Sequence, residues 1–237
     1  MYSPSGVKPS TRFSELIPNR PRIAREFVER HQRLRLLRAA AKVASEHGGF
    51  GITTARLIAD AHMARSTFYE LFPAKSAFLE FAFAESFDYV FDPVRAATAT
   101  TEPWLGRLDD ALEAFFGGVS DDPSLAALCL VHSQELPAAR GHDYQAGVNI
   151  ITAALAGGRE AGRGACGSDY RDPPPDVEEF LAQAIVSFAA VRLRQGDAAL
   201  LRDRWREMAV LASTPFLGPN AGSRFAAATH GGPGQPG

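Results

Sequence analysis

The chain has 237 residues, 46% of them hydrophobic and 22% charged, with two cysteines and a formal net charge of −2. That length suits one or two domains with a sizeable core, and two cysteines exclude a dense disulfide framework. No uninterrupted apolar run approaches the ~18–20 residues that span a bilayer, and the opening MYSPSGVKPSTRF carries no apolar leader segment, so a cytoplasmic protein with no membrane partner is expected.

The small net charge hides an asymmetry. Residues 1–80 hold 13 Lys and Arg against 7 Asp and Glu, a net +6, whereas residues 81–237 hold 12 against 20, a net −8. A basic module joined to an acidic body fits that split.

In chain order, residues 1–22 interleave Pro4, Pro9, Pro18 and Pro21 with Ser, Thr and Gly, which predicts a flexible basic arm. Ile23, Phe27, Leu34, Leu37, Ala41 and Ala44 then recur at helical spacing, and Gly48-Gly49 should end that helix. Two short helices are predicted over 55–61 and 65–72, and a long one over about 75–99. Further helices are predicted near 103–118, 123–139, 143–160, 176–195 and 198–214, separated by Pro, Gly or Asp. Residues 162–175 read as the longest internal loop, and the Gly- and Pro-rich 218–237 as a disordered tail. Alternating strand-type runs are few, so the predicted class is all-α.

Function is most legible in residues 52–79, ITTARLIADAHMARSTFYELFPAKSAFL. Two short helices joined by a tight turn at His62-Met63-Ala64 make a helix-turn-helix, with a motif over about 53–72. Thr53 stands where its hydroxyl would cap the first helix. Phe68 and Phe72 would be buried, leaving Arg65, Ser66, Thr67 and Tyr69 on the outer face.

This segment resembles the tetracycline-repressor (TetR) family of bacterial transcription regulators. The resemblance is strong over roughly residues 30–80, and beyond them it extends only to helical character and length. Its carriers are Thr53, Leu57-Ile58, Ala61-His62-Met63-Ala64, Thr67-Phe68-Tyr69 and the Phe72-Pro73-Ala74-Lys75 that follows, after a basic amphipathic helix ending in Gly-Gly-Phe. His62 replaces the family's turn glycine, and Ala64 replaces the serine that would cap the recognition helix. Histidine is among the non-glycine residues enriched at φ > 0, so the turn is expected to survive with some strain. Losing the capping hydroxyl removes about 1 kcal/mol.

The resemblance implies a three-helix DNA-binding domain over 23–80 and a helical ligand-binding and dimerisation domain over 81–217. It also implies a homodimer on a double-stranded operator, an unidentified small-molecule effector, and neither a cofactor nor enzymatic activity. A recognition helix presents its N-terminal residues to base edges in the major groove. Arg65 suits direct readout, because its fork can pair with guanine O6 and N7. Ser66 suits bases or phosphate. Thr53, Thr54, Thr67, Tyr69 and Lys75 suit phosphates, and Ala64 opens the helix beside them. Arg20, Arg22, Arg25, Arg30, Arg33, Arg35 and Arg38 would add a basic arm and helix face.

In the body, Leu79, Phe83, Phe87 and Phe91 recur every four residues, with Phe78 and Phe81 beside them. A helix apolar over so much of its circumference would join the DNA-binding unit to the body. Phe87, Trp104, Phe115, Phe116, Cys129, His132, Tyr144 and Phe188 are candidates to line an apolar ligand pocket, or else simply to fill the core. Phe180, Ala184, Phe188, Val191, Leu201, Trp205 and Met208 are candidates for a four-helix dimer interface. Cys129, His132 and Glu135 are three apart, a spacing that chance supplies readily, and no metal is expected there. Two other classes stay open on these residues, a helical adaptor without specific DNA binding and a helical enzyme that uses the body pocket.

Overall fold

Gly48, at φ +72°, ends the first long helix, α1 (Arg20–His47), and its N–H returns to the Ala44 carbonyl at 2.8 Å. The computed structural model describes residues 20–136 and 144–230. Among these the fold is all-α with no strand: α2 (Thr54–Asp60), α3 (Arg65–Leu71), α4 (Lys75–Thr98), α5 (Trp104–Asp121), α6 (Pro123–Leu130), α7 (Tyr144–Leu155), α8 (Gly158–Cys166), α9 (Val177–Gln195), α10 (Trp205–Leu217) and α11 (Ala221–His230). Short 3-10 turns fill 49–51, 132–135 and 198–201. No single helix among the described residues is long and apolar enough to cross a membrane.

The buried side chains form two clusters. The N-terminal cluster gathers Leu36, Leu37, Ala40, Ile52, Leu57, Phe68, Phe72, Phe78 and Phe83 from α1 to α4. The larger cluster gathers Phe87, Phe91, Leu112, Phe115, Phe116, Ile151, Val186 and Phe216 from α4 to α10. The phenylalanine ladder of α4 divides between them, with Phe78, Leu79 and Phe83 in the first and Phe87, Val90, Phe91 and Val94 in the second. Helix α6 also belongs to both: Leu128 is buried in the N-terminal cluster, and Ala126, Cys129 and Leu130 in the body.

Several boundaries differ from the sequence reading. On α1 the expected apolar face is only half used. Leu37, Ala41 and Ala44 are buried, but Phe27 is 72% exposed and Leu34 is also exposed. The side chain of Ile23 lies outside the described part, and among the described side chains burial begins at Leu36, since a periodic stripe marks a face only where a neighbour exists to cover it. Most of the predicted arm lies outside the described residues, and Arg20–Arg22 already belong to α1. The helix predicted over 123–139 stops at Leu130, and residues 137–139 lie outside the described part. The helix predicted over 143–160 breaks after Leu155, and the predicted loop 162–175 begins inside α8.

The first glycine of this segment lies inside a helix. Gly162 packs so closely on the Phe216 backbone carbonyl and the Tyr170 ring that a Cβ would collide with both. It serves close approach of α8 and α10 rather than chain flexibility. The helix predicted over 198–214 starts as a 3-10 turn and resumes as α10. The predicted disordered tail contains α11, whose Ala221 and Phe225 are buried against the body; residues 231–237 lie outside the described part.

Candidate nucleic-acid interface

Helix α2 starts where the sequence places it: the Arg56 N–H donates to Thr53 Oγ1 at 3.3 Å. The turn after it has His62 at φ +47°, the only non-glycine residue at positive φ among the described residues. Arg35 on α1 braces this turn, its Nη2 donating to the carbonyls of Ala61 and, at 3.2 Å, His62. Ala64 precedes α3 in extended conformation and offers no side-chain cap, as its lack of a hydroxyl requires.

The inner face of α3 is anchored by aromatic packing. Phe68 is fully buried, with ring centroids 6.0 Å from Phe72 and 5.8 Å from Phe78. Turning that face inward turns Ala64, Arg65, Ser66 and Tyr69 outward, and all four are exposed, with Thr67 half-buried beside them. The Tyr69 ring stands edge-on to Phe68 at 5.3 Å, and the Arg65 guanidinium lies 5.6 Å from the Tyr69 centroid. Thr53 is exposed and Thr54 half-buried at the start of α2. Lys75 is exposed at the start of α4, and its Nζ donates to the Ile52 carbonyl at 3.0 Å, so it also pins the entry to α2.

Much of the basic excess has internal partners that the sequence does not announce. Lys42 pairs with Asp60, whose hydrogen bond and charge hold the ammonium pKa above its ordinary range. Arg56 donates to the Gly51 carbonyl at 3.0 Å, Arg25 pairs with Glu29 at 2.9 Å, and Arg33 lies 5.0 Å from the Phe72 centroid. Arg30, Arg38 and Arg65 are exposed, with no hydrogen-bonded or ion-paired acceptor among the described residues. The side chains of Arg20 and Arg22 lie outside the described part.

The pocket candidates separate. Phe87, Trp104, Phe115, Phe116 and Cys129 are buried in one packed cluster, with Tyr144 and Phe188 at its edge. Phe87 and Phe91 stack at 4.7 Å, and the Trp104 Nε1–H donates to the Ala154 carbonyl at 3.1 Å. The Tyr144 hydroxyl donates to the Gln183 carbonyl at 3.3 Å. His132 lies apart from that cluster, in the turn beyond α6, where its Nδ1 is 3.3 Å from Glu135 Oε1. Among the described residues no three His, Cys, Asp or Glu side chains gather in ligating positions.

The dimer candidates fare differently. Leu201 is fully buried in the body core, which corrects its placement at an interface: the 3-10 turn aims it inward. Ala184 and Phe188 line an apolar groove of about 230 Å³ between α9 and α10, together with Leu181, Ile185, Met208 and Leu211. Phe180 is 72% exposed, Leu211 is 60% exposed and Val191 is exposed, while Trp205 is half-buried. Leu211 continues the apolar stripe of α10 along the same groove.

No protein-family model matches the sequence, and no curated protein does. Solved structures do. The fatty acid degradation regulator FadR from Bacillus halodurans superposes with a TM-score of 0.63 at 16% identity, over 79% of this chain and 95% of that one. A regulatory protein of the tetR family from Rhodococcus RHA1 gives 0.60 at 20% identity, over 78% and 96%. The fold is that of TetR-family regulators. FadR from Bacillus subtilis, in complex with stearoyl-CoA, gives 0.60 at 15% identity, over 77% and 98%. That fold agrees with the all-α class expected from the whole sequence and with the resemblance carried by residues 52–79.

Proposed function

We propose that the chain is a DNA-binding transcription regulator. In this reading it works as a homodimer that represses from an operator and is released by a small molecule. The observation that carries the reading is the outward row of Ala64, Arg65, Ser66 and Tyr69 on α3, held by buried Phe68 and Phe72. Such a helix end places an arginine fork and hydroxyls where base edges and phosphates are met. Thr53, Thr54, Thr67 and Lys75 flank it as phosphate contacts. The exposed groove of α9 and α10 supplies the apolar area for a two-fold interface, which places two recognition helices on one face of DNA.

An effector that prefers a half-site separation unable to span the operator would weaken binding by its differential affinity alone. The proposed effector site lies among the body aromatics, around Phe87, Phe115, Phe116 and Cys129; since these side chains are fully packed, an effector there has to open the cluster, which couples its binding to a change of body shape. Because the Bacillus subtilis FadR structure holds stearoyl-CoA, a long-chain acyl-CoA is the first effector to try.

The test is selection of bound sequences from a random DNA library by the purified full-length chain, followed by titration across salt concentrations. The expected result is an enriched, two-fold symmetric site with half-sites about 10 bp apart, bound far more tightly than random DNA. Absence of enrichment at low salt would overturn the reading.

A further inference from the structure

The N-terminal cluster meets the body through more than apolar packing. Gly49, just past the end of α1, donates its N–H to Glu135 Oε2 at 2.7 Å, across 86 residues of sequence. The other carboxylate oxygen of Glu135 is 3.3 Å from His132 Nδ1. Gly49 is buried, and a Cβ there would lie 2.6 Å from Glu135 Oε2 and 3.3 Å from both the Cβ and the carbonyl oxygen of His132. A side chain there would displace the Glu135 carboxylate from the Gly49 N–H and press on His132, so glycine keeps this contact open.

The turn carrying Glu135 is an extension of α6, the helix that places Leu128 in one cluster and Cys129 in the other. It also borders a cleft of about 400 Å³ lined by Ser45, Ser124, Ala127, His132, Leu193 and Arg194, so the contact lies beside a space that reaches from α1 to the end of α9.

We propose that Glu135 is a positioning residue for DNA binding, whose carboxylate tethers Gly49 and so fixes the orientation of the α2–α3 unit on the body. The proposal rests on the regulator reading above. A charge-assisted hydrogen bond to a buried backbone N–H is short and directional, which suits it to setting an angle that apolar packing alone leaves loose. In a dimer, that angle sets the separation of the two α3 helices, and hence which half-site spacing is bound.

The experiment measures binding of full-length wild type, E135A and E135Q to four DNAs: the selected site, the same site with its half-sites one base pair closer, the same site with them one base pair further apart, and random DNA of equal length. E135A is expected to lose at least tenfold on the selected site and to discriminate less between spacings, while its affinity for random DNA stays within about twofold. E135Q keeps an oxygen to accept the Gly49 N–H and should stay within about threefold of wild type on every DNA. Amide exchange at Gly49 should speed up in E135A and not in E135Q. Wild-type selection of a site together with E135A behaving as wild type would overturn the tether alone, as would E135Q falling as far as E135A. Failure of the wild type to select any site would overturn the regulator reading and the tether with it.

Discussion

Arg35, in the middle of α1, donates to the carbonyl of His62, 3.2 Å away, and so holds from outside a turn whose own residue is strained. Left-handed backbone costs a non-glycine residue about 1–2 kcal/mol, whereas glycine loses about 0.5–1 kcal/mol through unfolded-state entropy. His62→Gly is therefore expected to stabilise the chain by about 0.5–1 kcal/mol. Urea unfolding should show a higher midpoint with an unchanged slope. Arg35→Ala removes the brace and is expected to cost about 1–3 kcal/mol in the same measurement. Equal stability of His62→Gly and wild type would show that the surrounding contacts already offset the strain.

Arg65 and Tyr69 form one exposed unit, with the guanidinium 5.6 Å from the ring centroid, and they are proposed to act differently on DNA. Arg65→Ala should reduce discrimination between the selected site and random DNA by about 1–3 kcal/mol. Tyr69→Phe keeps the ring packed on Phe68 and removes only the hydroxyl. It should weaken both DNAs alike, the signature of a phosphate contact. Quantitative titrations at one fixed salt concentration separate the two patterns.

What was legible in the sequence follows from how local the cause is. The Thr53 cap, the positive φ at His62, the missing cap at Ala64 and the burial of Phe68 and Phe72 each depend on neighbours a few residues away, and all are present. The division of the α4 phenylalanines between two clusters was likewise foreshadowed by apolarity around too much of one helix. The failures lie where a distant residue decides. Phe27 has the right spacing but no cover, and Leu201 turns inward on a 3-10 turn. Lys42 and Arg56 contribute to the basic excess but have internal acceptors. Gly162 reads as a loop former until Phe216 and Tyr170 are seen against it. The Gly49–Glu135 bond spans 86 residues and has no local signature at all.

The groove between α9 and α10 leads to a test of the proposed dimer. Leu211 is 60% exposed, so Leu211→Glu should leave the fold intact in far-UV circular dichroism. Across a two-fold interface it would set like charges near an apolar groove, where a carboxylate loses water without gaining a partner. Sedimentation should shift from dimer to monomer at micromolar concentration, and binding to the two-fold site should fall while binding to an isolated half-site changes little. A dimer that persists in Leu211→Glu would place the interface elsewhere.

Stability in acid should depend on the segment that enters α9. Arg159 donates to Glu178 through Nε at 2.7 Å and to the carbonyls of Pro173, Pro174 and Pro175 at 2.7 to 3.1 Å. Burial pushes the Glu178 carboxyl up, but the Arg159 hydrogen bond, the residue's own backbone N–H and the Arg159 charge together hold it below its ordinary 4.5. Asp172 is held below its ordinary 3.8 mainly by the Arg163 hydrogen bond. Carboxylates with depressed folded pKa values contribute stability that is fully present above their unfolded values and is lost as pH falls through the folded ones. Unfolding midpoints should therefore decline as pH drops below about 4.5, and Arg159→Ala should make that decline shallower from a lower starting stability. An identical acid slope in wild type and Arg159→Ala would remove Glu178 from the account.

Phe225 decides between a tail and a structural element at the C-terminal end. It is 3% exposed on α11, in the same cluster as Phe216 and Leu217, and Arg224 beside it donates to the Ala165 carbonyl at 2.6 Å, which ties α11 to the end of α8. Truncating a buried phenylalanine removes its transfer free energy and leaves a cavity, at a cost of about 3–5 kcal/mol. A disordered residue would cost nothing measurable on the same change. Phe225→Ala should thus lower the urea midpoint by a large fraction of total stability, given that whole domains rest on about 5–15 kcal/mol. Gly222→Ala is the control on the same helix: its added Cβ would meet only Val210 Cγ1 at 3.7 Å, an ordinary contact, so the midpoint should hold or rise slightly. A Phe225→Ala chain as stable as wild type would return residues 221–230 to the status of a tail.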